Sequence, residues 1–384
     1  MRRLLLLVGA VVLVDTIFFA ALTPLLPEYA DRFDLSKTGA GLLAGSYAAG
    51  GLVGTLPSGW LAMRAGSRRT MLLGLALLSL ASVGFAFGDT IAVLDATRFL
   101  QGVGGACAWA GGMGWLVSIA PPEQRGATIG AAMSAALAGV LLGPVLGTIA
   151  QSTGPEVPFT IVGSLGVLLA FATLRMPAPA RPESDVQQPY AAALRDARVR
   201  AGAVLVLVPA LVFGTTEVLA PLELDRLGAS ALAIGATFLV AAGLEGIMQT
   251  VAGHATDRFG RALPIRIGLV GTLAFMLLVG LPQVAWLLAV VVTLGCTVCG
   301  ALNTPAMTLL ADGVEHVGLD HGVGFALVNL VWSSGQVGGA IAGGALAAAT
   351  TDTTAYLALA AICGVTLGAV LRGSSHPTVS GRTA

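Results

Sequence analysis

Long apolar runs separated by short polar breaks fill almost the whole chain. A bilayer-spanning helix needs about 20 predominantly apolar residues. Runs of about that length lie near 4–27, 38–61, 70–87, 90–117, 126–150, 157–174, 201–222, 231–252, 263–281, 284–309, 322–348 and 354–371. The pattern predicts an all-α membrane protein with 12 transmembrane helices. One polar stretch interrupts it: Arg175 to Arg200 contains Pro177, Pro179, Pro182 and Pro189 and reads as a linker between two six-span halves. The expected organisation is an N-terminal half over 1–174, a cytoplasmic linker over 175–200, a C-terminal half over 201–371 and a cytoplasmic tail over 372–384. The end of the linker, Tyr190 to Val199, reads as a short helix on the membrane surface. Met1-Arg2-Arg3 before Leu4 imitates a secretory signal. The apolar run continues to Leu26, however, and further spans follow, so this segment reads as the first span.

Composition narrows the class. Hydrophobic residues make up 56% of the chain and charged residues 10%, against about 25% charged in a soluble domain. No soluble enzyme, disordered chain or nucleic-acid binder fits that balance. Net charge is zero, and no nucleic-acid partner is expected. The positions of the cations set the orientation. With both termini cytoplasmic, 16 basic residues fall inside, while Arg32, Lys37 and Arg226 fall outside and Arg98 lies within a span. This predicts a protein integral to the cytoplasmic (inner) membrane.

The halves repeat each other. The segment from Gly59 to Gly66 aligns with that from Gly253 to Gly260, and Pro27 aligns with Pro221 at the same offset. Gly139, Gly143 and Gly147 align with Gly335, Gly339 and Gly343, two residues further on. Parallel repeats place a pathway at their interface near the midplane. Charges inside spans are costly and mark such pathways. Asp15 sits midway along span 1 and Glu245 midway along span 8; Glu217 and Arg98 sit in the outer parts of spans 7 and 4. Asp95, one helical turn before Arg98, is placed to neutralise it. Asp15 and Glu245 have no partner within a turn, and a low-dielectric site favours the neutral form of a carboxyl group, so both are candidates to carry a proton. The acids break the repeat: Pro209 stands at the position equivalent to Asp15, and Gly51 at that equivalent to Glu245.

Four motifs resemble the Major Facilitator Superfamily, and within it the 12-span drug:proton antiporters. After span 2 the chain reads Gly59-x-x-x-Met63-Arg64-x-Gly66-x-Arg68-Arg69. After span 8 it reads Gly253-x-x-x-Asp257-Arg258-x-Gly260-Arg261. Span 4 carries Arg98-x-x-Gln101-Gly102. Span 5 carries Gly139-x-x-x-Gly143-Pro144-x-x-Gly147, with Thr148 where that signature ends in glycine. The resemblance implies two pseudo-symmetric six-helix halves working by alternating access. It also implies export in exchange for protons, and an acid latch in each loop. Met63 replaces the acid of the first loop, while Asp257 remains to pair with Arg258, Arg261 or a facing residue. The span 5 glycines form a strip that another helix can approach closely, and Pro144 invites a bend there. Such a seam is expected to open and close as the halves rock.

The function expected from these readings is proton-coupled efflux of a small, mostly apolar compound, with multidrug resistance as its setting. Proton-coupling candidates are Asp15, Glu245, Glu217 and Arg98. Cavity candidates are Phe18, Phe19, Leu22, Tyr47, Trp109, Asn303, Asn329 and Trp332, an aromatic set that suits lipophilic cations. Expected partners are the small-molecule substrate, protons and the bilayer, with the chain a monomer. Two alternatives stay open: a proton-coupled or facilitative carrier of a polar metabolite such as a sugar, and a non-transporting receptor or scaffold. The scarcity of Asn, Gln and Lys in the spans argues against the first, and the buried acids against the second. An enzyme is not expected, nor is any cofactor or metal. The Cys296-x-x-Cys299 pair lies inside a span and reads as small apolar helix residues.

Overall fold

The computed structural model describes residues 1–121, 124–177, 193, 195–317 and 321–373. The middle of the linker and residues 374–384 of the tail lie outside that range, as do residues 190–192 and 194 of the expected surface helix. Among the described residues the secondary structure is entirely helical: α1 (Arg2–Ala20), α2 (Leu26–Arg32), α3 (Lys37–Ala65), α4 (Ser67–Ala86), α5 (Ile91–Ile119), α6 (Arg125–Thr153), α7 (Glu156–Arg175), α8 (Ala197–Arg226), α9 (Ala231–Phe259), α10 (Ala262–Leu278), α11 (Ala285–His316), α12 (His321–Ala349) and α13 (Asp352–Gly373). Helices α1 and α2 form one broken span, which gives 12 in all. Eight of the 12 are long and apolar enough to cross a bilayer by length and composition alone. The others are α10, apolar but shorter, and α3, α5 and α12, each 29 residues and crowded with glycine.

Local chemistry sets the helix ends. Ser36, Thr90 and Ser230 accept hydrogen bonds from the backbone N–H groups of Gly39, Val93 and Ala233, capping α3, α5 and α9. The repeat-equivalent Gly66 and Gly260 end α3 and α9 with φ of 92° and 77°, a conformation that favours glycine. Span 1 departs from the continuous helix that its apolar run suggests. It breaks after Ala20 and passes through a short 3₁₀ turn at Thr23–Leu25. Pro24 and Pro27 have no N–H to donate, so the α-helical ladder cannot continue there.

The glycine strip of α6 packs on α1. A Cβ on Gly139 would lie 1.9 Å from Thr16 Oγ1, one on Gly143 2.4 Å from Ala20 Cβ, and one on Gly147 2.2 Å from the Ala21 carbonyl oxygen. The equivalent strip on α12 packs on α8 in the same way, with Gly339 against the Leu211 carbonyl. The seam is therefore internal to each half and not a moving joint between halves. Spacing identifies the bare face of a helix but not the helix it meets.

Among the described residues the two halves meet from one end to about mid-span, where Gly246 of α9 lies against Leu137 of α6 and Gly51 of α3 faces Ser333 of α12. At that end α3 meets α12, with Gly41 against the Ala340 carbonyl and Gly344 against the Lys37 carbonyl. Lys37, the first residue of α3, pairs with Asp352, the first of α13, at 2.5 Å. Gly235 of α9 meets Thr148 of α6, 2.3 Å from a built Cβ to the hydroxyl oxygen. Thr148, which stands where the span 5 signature ends in glycine, is thus accommodated by a glycine in the other half. At the opposite end Trp60, Met63 and Phe259 are exposed, and a Cβ on Gly59, Gly66 or Gly260 would meet nothing within 4 Å.

Candidate functional site

Asp15 lies at the centre of the N-terminal half, 3% exposed. The Tyr47 hydroxyl donates to its Oδ1 at 2.6 Å and the Trp109 indole N–H to its Oδ2 at 2.7 Å. Three residues singled out separately in the sequence, on spans 1, 2 and 4, therefore form one cluster. Gly105 makes room for it: a Cβ there would lie 2.5 Å from Asp15 Oδ1 and 3.0 Å from the Tyr47 hydroxyl. Gly102, one turn earlier on α5, lets that helix press against the Tyr47 carbonyl.

Arg98 does not pair with Asp95, whose Oδ1 is buried without a hydrogen-bond partner. The guanidinium turns instead toward the break in span 1. It donates to the Phe18 carbonyl at 2.7 Å, the Phe19 carbonyl at 3.3 Å and Gln101 Oε1 at 3.2 Å. Those carbonyls stand at the end of α1, where helical donors are lost, so Arg98 caps one helix from another. Its guanidinium also lies 4.9 Å from the Tyr47 ring centroid. Gln101 completes the arrangement by donating to Ser82 Oγ.

Two adjoining cavities lie between the halves. The larger, about 470 Å³, has Phe19, Phe213, Phe238, Glu217, Glu245 and Cys296 in its wall. The smaller, about 260 Å³, places Arg98 and Glu217 together beside Phe19 and Leu22. Glu245 Oε1 accepts from Gln249 Nε2 at 3.0 Å and from Asn303 Nδ2 at 3.5 Å. Gln249 was not singled out in the sequence, although it stands one helical turn from Glu245. Trp332 packs on Phe213, with ring centroids 5.7 Å apart. Phe18 is fully buried and stacks on Phe159 at 6.0 Å, so it packs the N-terminal half and does not line a cavity. Asn329 lies on α12 outside both cavity walls.

At the open end the loop residues do not form the expected latch. Asp257 pairs with neither Arg258 nor Arg261. Arg258 lies over Phe259, and Arg261 pairs with Asp312 on α11, an acid that the motif comparison did not supply. On the first copy Arg64 lies over Trp60, while Arg68 donates to the Thr173 and Leu174 carbonyls at the end of α7. Arg69 stands beside it at the start of α4. Arg68 and Arg261 thus tie helices together within each half, while Arg64 and Arg258 stay on their own helices.

The sequence profile of the Major Facilitator Superfamily matches residues 8–324. The chain belongs to that superfamily. It is an integral membrane protein whose named relatives are MFS-type transporters. An MFS-type transporter, ppzB, of Metarhizium majus is 34% identical over 122 residues, covering 30% of this chain and 26% of the relative. The synaptic vesicular amine transporter of Bos taurus is 29% identical over 308 residues, covering 76% of this chain and 57% of that protein. An uncharacterised MFS-type transporter, YcaD, of Salmonella newport is 27% identical, covering 82% and 81%. The matches thus span only about a quarter and about half the length of the first two relatives. In fold, the chain is similar to a bacterial homologue of the human lysosomal transporter Spinster. The TM-score is 0.80 at 15% identity for the inward-facing, occupied conformation, covering 97% of this chain and 96% of that one. It is 0.75 at 16% identity for the inward-facing, unoccupied conformation.

Proposed function

We propose that this transporter exports small, mostly apolar compounds in exchange for protons by alternating access. The carrying observation is the Asp15 cluster: a carboxyl group sealed inside the N-terminal half, held by two donors and linked through Tyr47 to Arg98 at the bend of span 1. A group that gains and loses a proton there changes what Tyr47 and Trp109 donate to. Tyr47 packs on Phe19, ring centroids 5.3 Å apart, and Phe19 lines both cavities. Proton and substrate thus meet at one bent helix. Glu245, Glu217 and Arg98 complete the set of charged groups around the pathway. The aromatic lining of the larger cavity suits a lipophilic compound, in keeping with the name of the bovine relative as an amine transporter. Two halves over 1–174 and 201–371, a monomeric unit, and inner-membrane insertion with both termini cytoplasmic complete the reading. In that orientation the open end faces the cytoplasm.

The test uses purified protein in liposomes that enclose a pH-sensitive dye. An imposed proton gradient is challenged with lipophilic cations and with neutral compounds. Substrate-triggered proton flux is expected; its absence from folded protein with every compound rejects the exchange reading.

Alternating access also assigns a role to the Lys37–Asp352 pair, which joins the halves at the closed end. A cation at a helix N-terminus is disfavoured by the helix dipole, so Lys37 depends on its acid partner there. Lys37→Asp is expected to slow transport by roughly tenfold, a change of about 1.4 kcal/mol. The swapped pair K37D/D352K is expected to recover most of the wild-type rate in the same liposomes. A double variant no better than the single ones would remove the pair from the gate.

A further inference from the structure

The buried acids are not equivalent. Asp15 has both oxygens engaged, by Tyr47 and Trp109, and it forms no part of either cavity wall. Glu217 and Glu245 both line the larger cavity. Glu217 accepts no hydrogen bond from a described residue. Glu245 uses only Oε1, which Gln249 and Asn303 hold in place, and Oε2 has no hydrogen-bond partner among the described residues. The lining of the larger cavity contains these two acids and, among the described residues, no Lys, Arg or His. Phe19, Phe213 and Phe238 supply aromatic faces around them.

We infer that Glu217 and Glu245 form the recognition site for the positive charge of an organic cation, while Asp15 serves the proton without touching the cargo. This assignment rests on the exchange reading above and gives its substrate class. Two carboxyl groups line one apolar space whose wall holds no base, and Arg98, beside Glu217 in the adjoining cavity, offsets only part of the negative potential that the low dielectric strengthens. A weakly hydrated cation loses little on entering, and ring faces add to the attraction. A neutral cargo leaves both acids unpaired. Arg98 lines the smaller cavity with Glu217, is bound to the carbonyls of Phe18 and Phe19, and is not in the wall of the larger one. Gln249 and Asn303 are positioning residues that aim Oε2 at the cargo.

The experiment measures equilibrium binding of tetraphenylphosphonium and of triphenylphosphine oxide, a neutral compound of similar shape, to the full chain in nanodiscs. Wild-type protein is expected to prefer the cation. E217Q and E245Q are each expected to raise its Kd by about tenfold or more and to leave binding of the oxide within about twofold. Glu217 has no hydrogen bond to lose, so E217Q keeps the test open should E245Q fail to fold. D15N is expected to bind the cation as wild type does. Unchanged cation binding in both Gln variants overturns the assignment. So does loss of cation binding in D15N, or wild-type protein that binds the oxide as well as the cation or binds neither. Wild-type protein that binds the cation through these acids yet moves no protons leaves the recognition site standing and rejects the exchange reading alone.

Discussion

Asp15→Asn is expected to abolish proton-driven transport while the protein stays folded and still exchanges substrate across the membrane. The amide matches the carboxyl group in shape and fits the space that Gly105 leaves. Its oxygen can still accept from the Trp109 indole N–H, and its NH₂ group can donate to the Tyr47 hydroxyl oxygen. Both contacts can persist with the Tyr47 one reversed, so the fold is expected to tolerate the change. The amide cannot take up a proton at any working pH, so the step that ties a proton to the bend of span 1 is gone. Two liposome assays separate the effects. Uphill transport driven by an imposed proton gradient is expected to vanish, and substrate-for-substrate exchange at equal pH is expected to continue. Uphill transport at the wild-type rate would reassign the proton, with Glu217 and Glu245 the next groups to test. Loss of both activities would mean that Asp15 is needed for the shape of the bend itself.

Much of this architecture was legible in the chain. The apolar runs give the spans because a bilayer leaves backbone groups no partner except within a helix or closed sheet. The offset repeats give the two halves because the duplication kept its glycines. Asp15, Glu245, Tyr47, Trp109 and Asn303 stand out because polar and aromatic groups are scarce in such runs. What remained hidden depends on contact between distant segments. Tyr47 and Trp109 lie 32 and 94 residues from Asp15, and no local pattern brings them together. Arg98 looked paired with Asp95 because one turn separates them, yet it turns to a helix end 80 residues away. The break in span 1 was signalled by Pro24 and Pro27, but hydropathy alone ran through it. Gln249 was within reach of sequence reasoning, since a residue one turn from a buried acid is a natural partner. Gly105 was not, because its use appears only once Asp15 and Tyr47 are in place.

Gly143→Val is expected to leave the protein in the membrane and to eliminate transport. Insertion follows the apolarity of the span, and valine is more apolar than glycine. Packing is where the change is felt. A Cβ at this position would lie 2.4 Å from Ala20 Cβ and 2.9 and 3.0 Å from the Ala20 carbonyl carbon and Cα. The last two are backbone atoms, so α1 and α6 must separate before any side chain fits. Overpacking of this kind costs roughly 1–3 kcal/mol, and the two γ-methyl groups of valine put it at the upper end. The separation acts on the stretch of α1 between Asp15 and the break, the segment whose carbonyls Arg98 holds. Displacing it draws Asp15 from Tyr47 and Trp109, so transport fails even where the fold survives. The checks are the amount of protein in the membrane fraction, the thermal midpoint of the purified protein and the liposome assay. A lowered midpoint with normal membrane content and no transport is the expected set. Gly143→Ala should show a smaller effect of the same sign. Ala20→Gly combined with it removes the nearest clashing atom and should return part of the activity. Normal transport by Gly143→Val would show that α1 and α6 do not need this close approach, and the coupling of the bend to the seam would fall with it.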